Sequence, residues 1–387
     1  MKTRPFAVIS AIPLLLGLQL GGCVTNPSPT VQPAASAIVG AGKAATGGAN
    51  DLQDTADSES LQRDIDAVMT ALRANHEGQI YSGAVPGVNP DDLAIAVALI
   101  DGRNLASGDV DVQFPLMSVS KPFTYALALE QRGADYMFNA IGVSATGLPY
   151  NSVTAGAVRR TSEQNPMVNA GAIATHSYIL GSDATEKINS VVALYSQMAN
   201  QPLAIKEAWR ATPRALTYTL AYQMQAVDRL EGDVKDVANR YLLSNIVAVR
   251  AGELAQMGAT LANDGIQPLT GDHVLSHQTV STVLSAMVIA GMYEDSGSWW
   301  TRVGVPAKSG VSGAVVAVVP GWGAIAAYSP RLDAAGNSVR ASLAIKELVE
   351  RWGLHSIDRL LRQTQKRIPA AADGEGTMTT MQPGKTT

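Results

Sequence analysis

LAIAVALI at residues 93–100, then Asp101-Gly102, then NLAS at 104–107, reads as a β-hairpin: an apolar run of strand length, a favoured turn dipeptide and a second short run. A second hairpin lies far along the chain, in AVVAVV at 314–319, Pro320-Gly321 and AIAAY at 324–328. Helical spacing fills the interval and both flanks. Leu61, Ile65, Met69 and Leu72 mark an amphipathic helix. Val119 to Arg132 and Pro166 to Leu180 are helices closed by Gly133 and Gly181, a third runs from about Val249 to Asn263, and the last from Val339 to Trp352. Strands at both ends with helices between predict an α+β fold, in which one antiparallel sheet is assembled from distant segments and flanked by helices.

Ser118-Val119-Ser120-Lys121 opens the second of these helices, directly after the extended stretch Val110 to Phe114. Residues three apart on a helix share a face, with Cβ atoms about 5–6 Å apart. Pro122 suits a helix start, where its missing N–H does no harm. Ser118 then sits at the positive end of the helix dipole, which favours developing negative charge. A desolvated Lys121 could lose its proton near neutral pH and serve as general base. Ser120 is only one residue from Lys121 and on another face, which leaves Ser118 as the nucleophile. The bland alternative is a surface Ser beside a solvated Lys. The spacing is the Ser-x-x-Lys arrangement of serine β-lactamases and penicillin-binding proteins.

Around this pattern the chain resembles the glutaminase family over most of residues 90–355. FPLMSVSKPFTY at 114–125 resembles the family's nucleophile segment, and NPMVNAGAI at 165–173 its Asn-Pro-Met-x-Asn-Ala-Gly-Ala motif. LANDG at 261–265, PLTG at 268–271, GMY at 291–293, Ser296-Gly297, VGVPAKSGV at 303–311 and the blocks from Ser329 to Val339 follow in the family's order. The resemblance implies a serine β-lactamase-like or penicillin-binding-protein-like fold and hydrolysis of L-glutamine to L-glutamate and ammonia through a γ-glutamyl-serine ester. It implies Ser118 as nucleophile, Lys121 as its activator, Asn169 and Tyr241 as active-site residues that touch substrate, and Tyr293 as a proton carrier. Lys308-Ser309-Gly310 is similar to the Lys-Thr-Gly element of β-lactamases. Val311 would give a backbone N–H that, with that of Ser118, forms an oxyanion hole. No metal or organic cofactor is implied.

Three positions depart from the family. Met117 precedes the nucleophile where glutaminases usually carry a substrate-contacting Gln. The Glu…Asp-Arg-Asn segment that grips the amino-acid end of glutamine is degraded: Glu207 is the nearest candidate for the Glu, and the Asn position holds Pro213 or Ala215. Trp299-Trp300 replaces a smaller pair, as core packing or as a changed pocket wall. Three readings therefore stand: a glutaminase, the same serine chemistry on a β-lactam or another amide, or a ligand-binding lipoprotein that no longer turns over.

Charge and composition exclude other classes. Lys+Arg 29 against Asp+Glu 33, with no basic block, argues against a nucleic-acid partner. The five histidines form no His-Glu-x-x-His, and the one cysteine, Cys23, permits neither a disulfide nor a Cys-based zinc site. Lys2 and Arg4, an apolar run from Phe6 to Leu20, then LGGC at 20–23 resemble a bacterial lipoprotein signal, with Cys23 as the lipidated residue. The expected organisation is a leader at 1–22, a flexible Pro/Ser/Thr/Gly-rich tether at 23–58, a catalytic domain at 59–366 and a disordered tail at 367–387. That implies a periplasmic protein touching the membrane only through its lipid, with Val24 favouring the outer membrane. Family resemblance adds a homodimer or homotetramer.

Overall fold

Both predicted hairpins form, and they join into one sheet. A computed structural model describes residues 57–152, 154, 164–210 and 215–367. The leader, Cys23, the tether as far as residue 56, Pro213 and the tail beyond residue 367 lie outside them.

The main sheet has five antiparallel strands in the spatial order Asn104–Gly108, Ala94–Leu99, Gly323–Tyr328, Ala314–Val319, Ala307–Ser309. Its middle strand comes from the far end of the chain, pairing Ala96 with Ala326 and Ala326 with Val316. The three central strands are buried at every position, which explains why their sequences are continuously apolar. Period-two alternation still divides the side chains between two faces, by size most plainly along Ala94–Leu99. Ala94, Ala96, Ala98, Ala324 and Ala326 face one core, and Ile95, Val97, Leu99, Ile325 and Val319 face the other.

The small-residue face receives the helix Ala251–Ala262 at close range. A Cβ on Gly258 would lie 2.6 Å from the Ala324 Cβ and 2.9 Å from a Val316 methyl, so only glycine lets this helix sit so near the sheet. Behind it pack the helices Ser120–Arg132, Asn169–Ser177, Ala184–Ala199, Ala215–Ala226 and Val234–Asn245. The large-residue face is covered by Ser58–Leu72 and Val339–Arg351, through Leu61, Ile65, Ile345 and Leu348. Two small sheets complete the frame. Phe114–Pro115 pairs with Val247–Val249, which also pairs with Ala204–Ile205, and Gln79–Ile80 pairs with Arg331–Leu332. The architecture is the expected α+β arrangement of antiparallel strands flanked by helices.

Details differ from the sequence reading. Residues 117–119 form a separate 3-10 turn before the helix at Ser120, and Val110 to Gln113 contains turns rather than strand. The helix expected from Pro166 begins at Asn169, because Asn165 closes a turn: its side-chain oxygen accepts from the Met167 amide at 2.8 Å. Trp299 is core packing; its indole donates to the Val305 carbonyl at 2.9 Å and its ring lies against the large-residue core.

Candidate active site

Ser118 occupies the 3-10 turn Met117–Val119, between the strand Phe114–Pro115 and the helix Ser120–Arg132. The turn is pinned from both sides. Leu116 donates its amide to Val247, and Gly310 lies so near that an added Cβ would meet a Val119 methyl at 2.9 Å and the Leu116 carbonyl at 3.1 Å. Ser120 is spoken for: its hydroxyl lies 2.7 Å from the Met117 carbonyl and 3.2 Å from Asn245 Oδ1.

Lys121 is fully buried, and its Nζ donates to Asn169 Oδ1 at 2.7 Å. The Tyr241 hydroxyl donates to the same oxygen at 3.1 Å, so one amide on the first turn of its helix gathers both groups. Burial without a compensating carboxylate brings the Lys121 ammonium down from 10.5 to about 7. A lysine so placed exchanges a proton readily at neutral pH.

Tyr293 closes the other side. It is buried, and burial lifts its phenol well above the ordinary 10 although a hydrogen bond with the Ser118 side chain works the other way. Its hydroxyl donates to the Ser309 carbonyl at 3.0 Å, which leaves an oxygen lone pair facing Ser118. Lys308, also fully buried, donates to that same carbonyl at 2.6 Å and to Gly291 at 3.0 Å, with its Nζ 4.3 Å from the centre of the Tyr293 ring. Burial, and then the charge of Lys121, push Lys308 far below 10.5.

The backbone is strained at both ends of this arrangement. Five non-glycine residues among those described have positive φ, and three of them are Asn or Asp, which tolerate it. The others are Met117 at +46° and Tyr293 at +55°, flanking Ser118. Each such residue costs about 1–2 kcal/mol, which the packing of Gly310 and Lys308 around them must offset.

Val311 is buried beside Met117 and Leu332, with Tyr81 and Tyr150 packed against the group. Its amide makes no backbone hydrogen bond among the described residues and is free to donate to a ligand. Tyr150 lies on Tyr293 with ring centres 4.3 Å apart. The cleft that opens here is lined by Tyr81, Tyr150, Val311, Glu294 and Asp333.

The structure thus brings Ser118, Lys121, Asn169, Tyr241, Tyr293 and Val311 together. It does not join Glu207 to them. That carboxylate is exposed on the turn Glu207–Trp209 and takes a two-pronged bond from Arg210, at 2.7 and 3.0 Å, which holds it below its usual range. Arg210 and Trp209 nevertheless line one pocket with Met117, so the turn borders the nucleophile's neighbour. Ala215 begins a helix and offers no side-chain polar group. Tyr81, Tyr150 and His176 escape the sequence reading because nothing local marks them. His176 is buried edge-on to Tyr241 with its ring nitrogen 3.1 Å from Ser244 Oγ, and burial lowers it to about 3, so it stays neutral and supports the Tyr241 ring. Among the described residues no group of His, Cys, Asp and Glu could hold a metal ion.

The chain that carries this site is similar to known proteins in both sequence and structure. The glutaminase of Colwellia psychrerythraea is 41% identical over 274 residues, 70% of this chain and 88% of that relative. The solved structure of the probable glutaminase ybaS superposes with a TM-score of 0.75 at 35% identity, covering 77% of this chain and 98% of that one. A probable glutaminase from Bacillus subtilis gives a TM-score of 0.68 at 28% identity over 77% and 96%. These neighbours share the serine β-lactamase-like fold. The glutaminase family model matches residues 80–357, and with the site assembled within that span the chain belongs to the glutaminase family of amidohydrolases.

Proposed function

We propose that this protein hydrolyses L-glutamine by acyl transfer through Ser118. The observation that carries the proposal is Lys121, buried, brought to about 7 and anchored on the Asn169 amide one turn beyond the serine. Neutral Lys121 takes the Ser118 proton as Oγ attacks the side-chain amide carbon. The amides of Ser118 and Val311 receive the oxyanion. Lys121 and Tyr293 return a proton to the departing nitrogen, ammonia leaves, and a γ-glutamyl ester remains on Ser118. Water, deprotonated by the same group, attacks that ester and releases glutamate. Asn169 and Tyr241 contact the substrate, and Glu207, which stands outside this group, reaches the substrate's ammonium only by giving up Arg210. The test is ammonia release from L-glutamine by the wild type and by Ser118→Ala. Release that the variant loses supports the reading, and a folded wild type that releases none overturns it.

Two observations favour a second substrate. Met117 replaces a polar neighbour, and Glu207 is already paired, so an amide lacking the zwitterionic end of glutamine would lose little here. Acylation of Ser118 by a β-lactam or another amide, without glutamine turnover, would select it. We also propose export and lipidation at Cys23, on the strength of residues 2–23, with the outer membrane as destination. Incorporation of labelled fatty acid lost in Cys23→Ala tests this. A homodimer or homotetramer, suggested by family resemblance, is read from sedimentation.

A further inference from the structure

The helix Ser356–Arg367 has its polarity the unexpected way round. Ile357, Leu360, Leu361 and Thr364 fall at i, i+3, i+4 and i+7, one stripe of a helix. In a helix that closes a core this stripe faces inward. Here Ile357, Leu360 and Leu361 are 44%, 58% and 56% exposed, while Arg359 is half-buried and Arg362 donates to the Gly353 carbonyl. Four cationic residues, Arg359, Arg362, Lys366 and Arg367, stand against one acid, Asp358. A short, strongly charged, cationic helix with a narrow aliphatic stripe is the composition of an element that lies in a lipid interface. Among the described residues no helix is long and apolar enough to cross a membrane, so contact by this helix would be in the surface plane.

We infer that Ser356–Arg367 rests on an anionic lipid surface, with Ile357, Leu360 and Leu361 entering the headgroup boundary. A second copy of the chain is the other occupant to weigh. Three half-exposed aliphatic side chains fall far short of the about 800 Å² per partner that a stable dimer buries, whereas peripheral lipid binding works through a few such side chains together with basic ones. The placement leaves the active site open. Trp352, which ends the preceding helix Val339–Arg351, donates to Asp64 of the first helix at 2.9 Å, on the large-residue face of the sheet, and the nucleophile helix packs on the opposite face.

The chain from Ala49 onward holds every residue of the fold described above and omits the apolar leader, which would bind vesicles by itself. It is floated with vesicles of phosphatidylcholine alone and of phosphatidylcholine with about one third phosphatidylglycerol. The expected result is selective flotation with the anionic vesicles, reversed by molar salt, and reduced about tenfold in Leu360→Gln/Leu361→Gln with an unchanged circular dichroism spectrum. No flotation with anionic vesicles, or equal flotation of wild type and double variant, overturns the inference. Self-association that the double variant loses, without vesicle binding, assigns the stripe to a second copy and overturns it as well.

Discussion

Replacing Lys121 by methionine should destroy activity and make the protein more stable. The lysine is fully buried, bonds only one side-chain oxygen in the contacts described, and has its proton affinity lowered from 10.5 to about 7 by burial. Above pH about 10.5 the group is neutral in both folded and unfolded chains and burial carries no protonation penalty. As pH falls the unfolded chain binds the proton first, so the folded state loses ground until pH about 7, below which the penalty is complete. At 1.36 kcal/mol per pH unit, that interval is worth about 5 kcal/mol. Methionine fills a similar volume without a charge, but it forfeits the bond to Asn169, worth about 1–2 kcal/mol. The net expectation is a variant more stable by about 3 kcal/mol at pH 6, with the advantage fading and then reversing as pH approaches 10. Urea unfolding of both proteins at pH 6, 7.5 and 9.5 measures it, with ammonia release as the companion assay. For the wild type, activity rises with pH through about 7 as Lys121 becomes a base. A variant no more stable than the wild type at pH 6, or a difference that does not shrink with pH, would refute desolvation as the cause of the lowered value.

Two further outcomes follow from the site. Val311→Ala keeps the backbone N–H and should leave kcat within about threefold, whereas Val311→Pro removes it and should cost 10²-fold or more, on the order seen for loss of one oxyanion donor; equal kinetics for the two variants would remove Val311 from that role. Glu207→Ala breaks an exposed ion pair and should change stability by less than about 1 kcal/mol. It should raise KM for glutamine at least tenfold with kcat nearly intact, and an unchanged KM would leave Glu207 as a surface partner of Arg210 alone.

The hairpins declared themselves because strand length, apolar character and turn dipeptide agree at Asp101-Gly102 and Pro320-Gly321. The nucleophile helix was equally plain, bounded by Pro122 and Gly133. Its first turn was not, since a 3-10 turn entered at positive φ by a methionine lies against Gly310, just beyond a strand from far along the chain, and no local preference encodes that contact. Helices at Ala184–Ala199, Val234–Asn245 and His277–Ala290 are marked in the sequence mainly by their caps, Asp183, Asp233 and Ser276. Asn169, Tyr241 and Tyr293 were reachable through family motifs, while Tyr81 and Tyr150 reach the cleft only through a two-residue strand pairing and a loop. Glu207 sat on the degraded segment, where sequence could name a candidate but could not show that Arg210 already holds it.

The placement of Gly323–Tyr328 in the middle of the main sheet has a consequence for how the molecule comes into being. Ala94–Leu99 waits for that strand to receive its second neighbour: Ala94 pairs locally with Gly108, but its partner on the other side comes only with Tyr328. The strand carrying Lys308, which fixes Tyr293 and presses Gly310 on the nucleophile turn, is itself held by the same late hairpin. Pairings so distant along the chain close slowly, because loop entropy must be overcome before any contact compensates. A ribosome must therefore deliver nearly the whole catalytic region before Ser118 acquires its surroundings, and a nascent chain carries an unarmed serine until that late hairpin arrives.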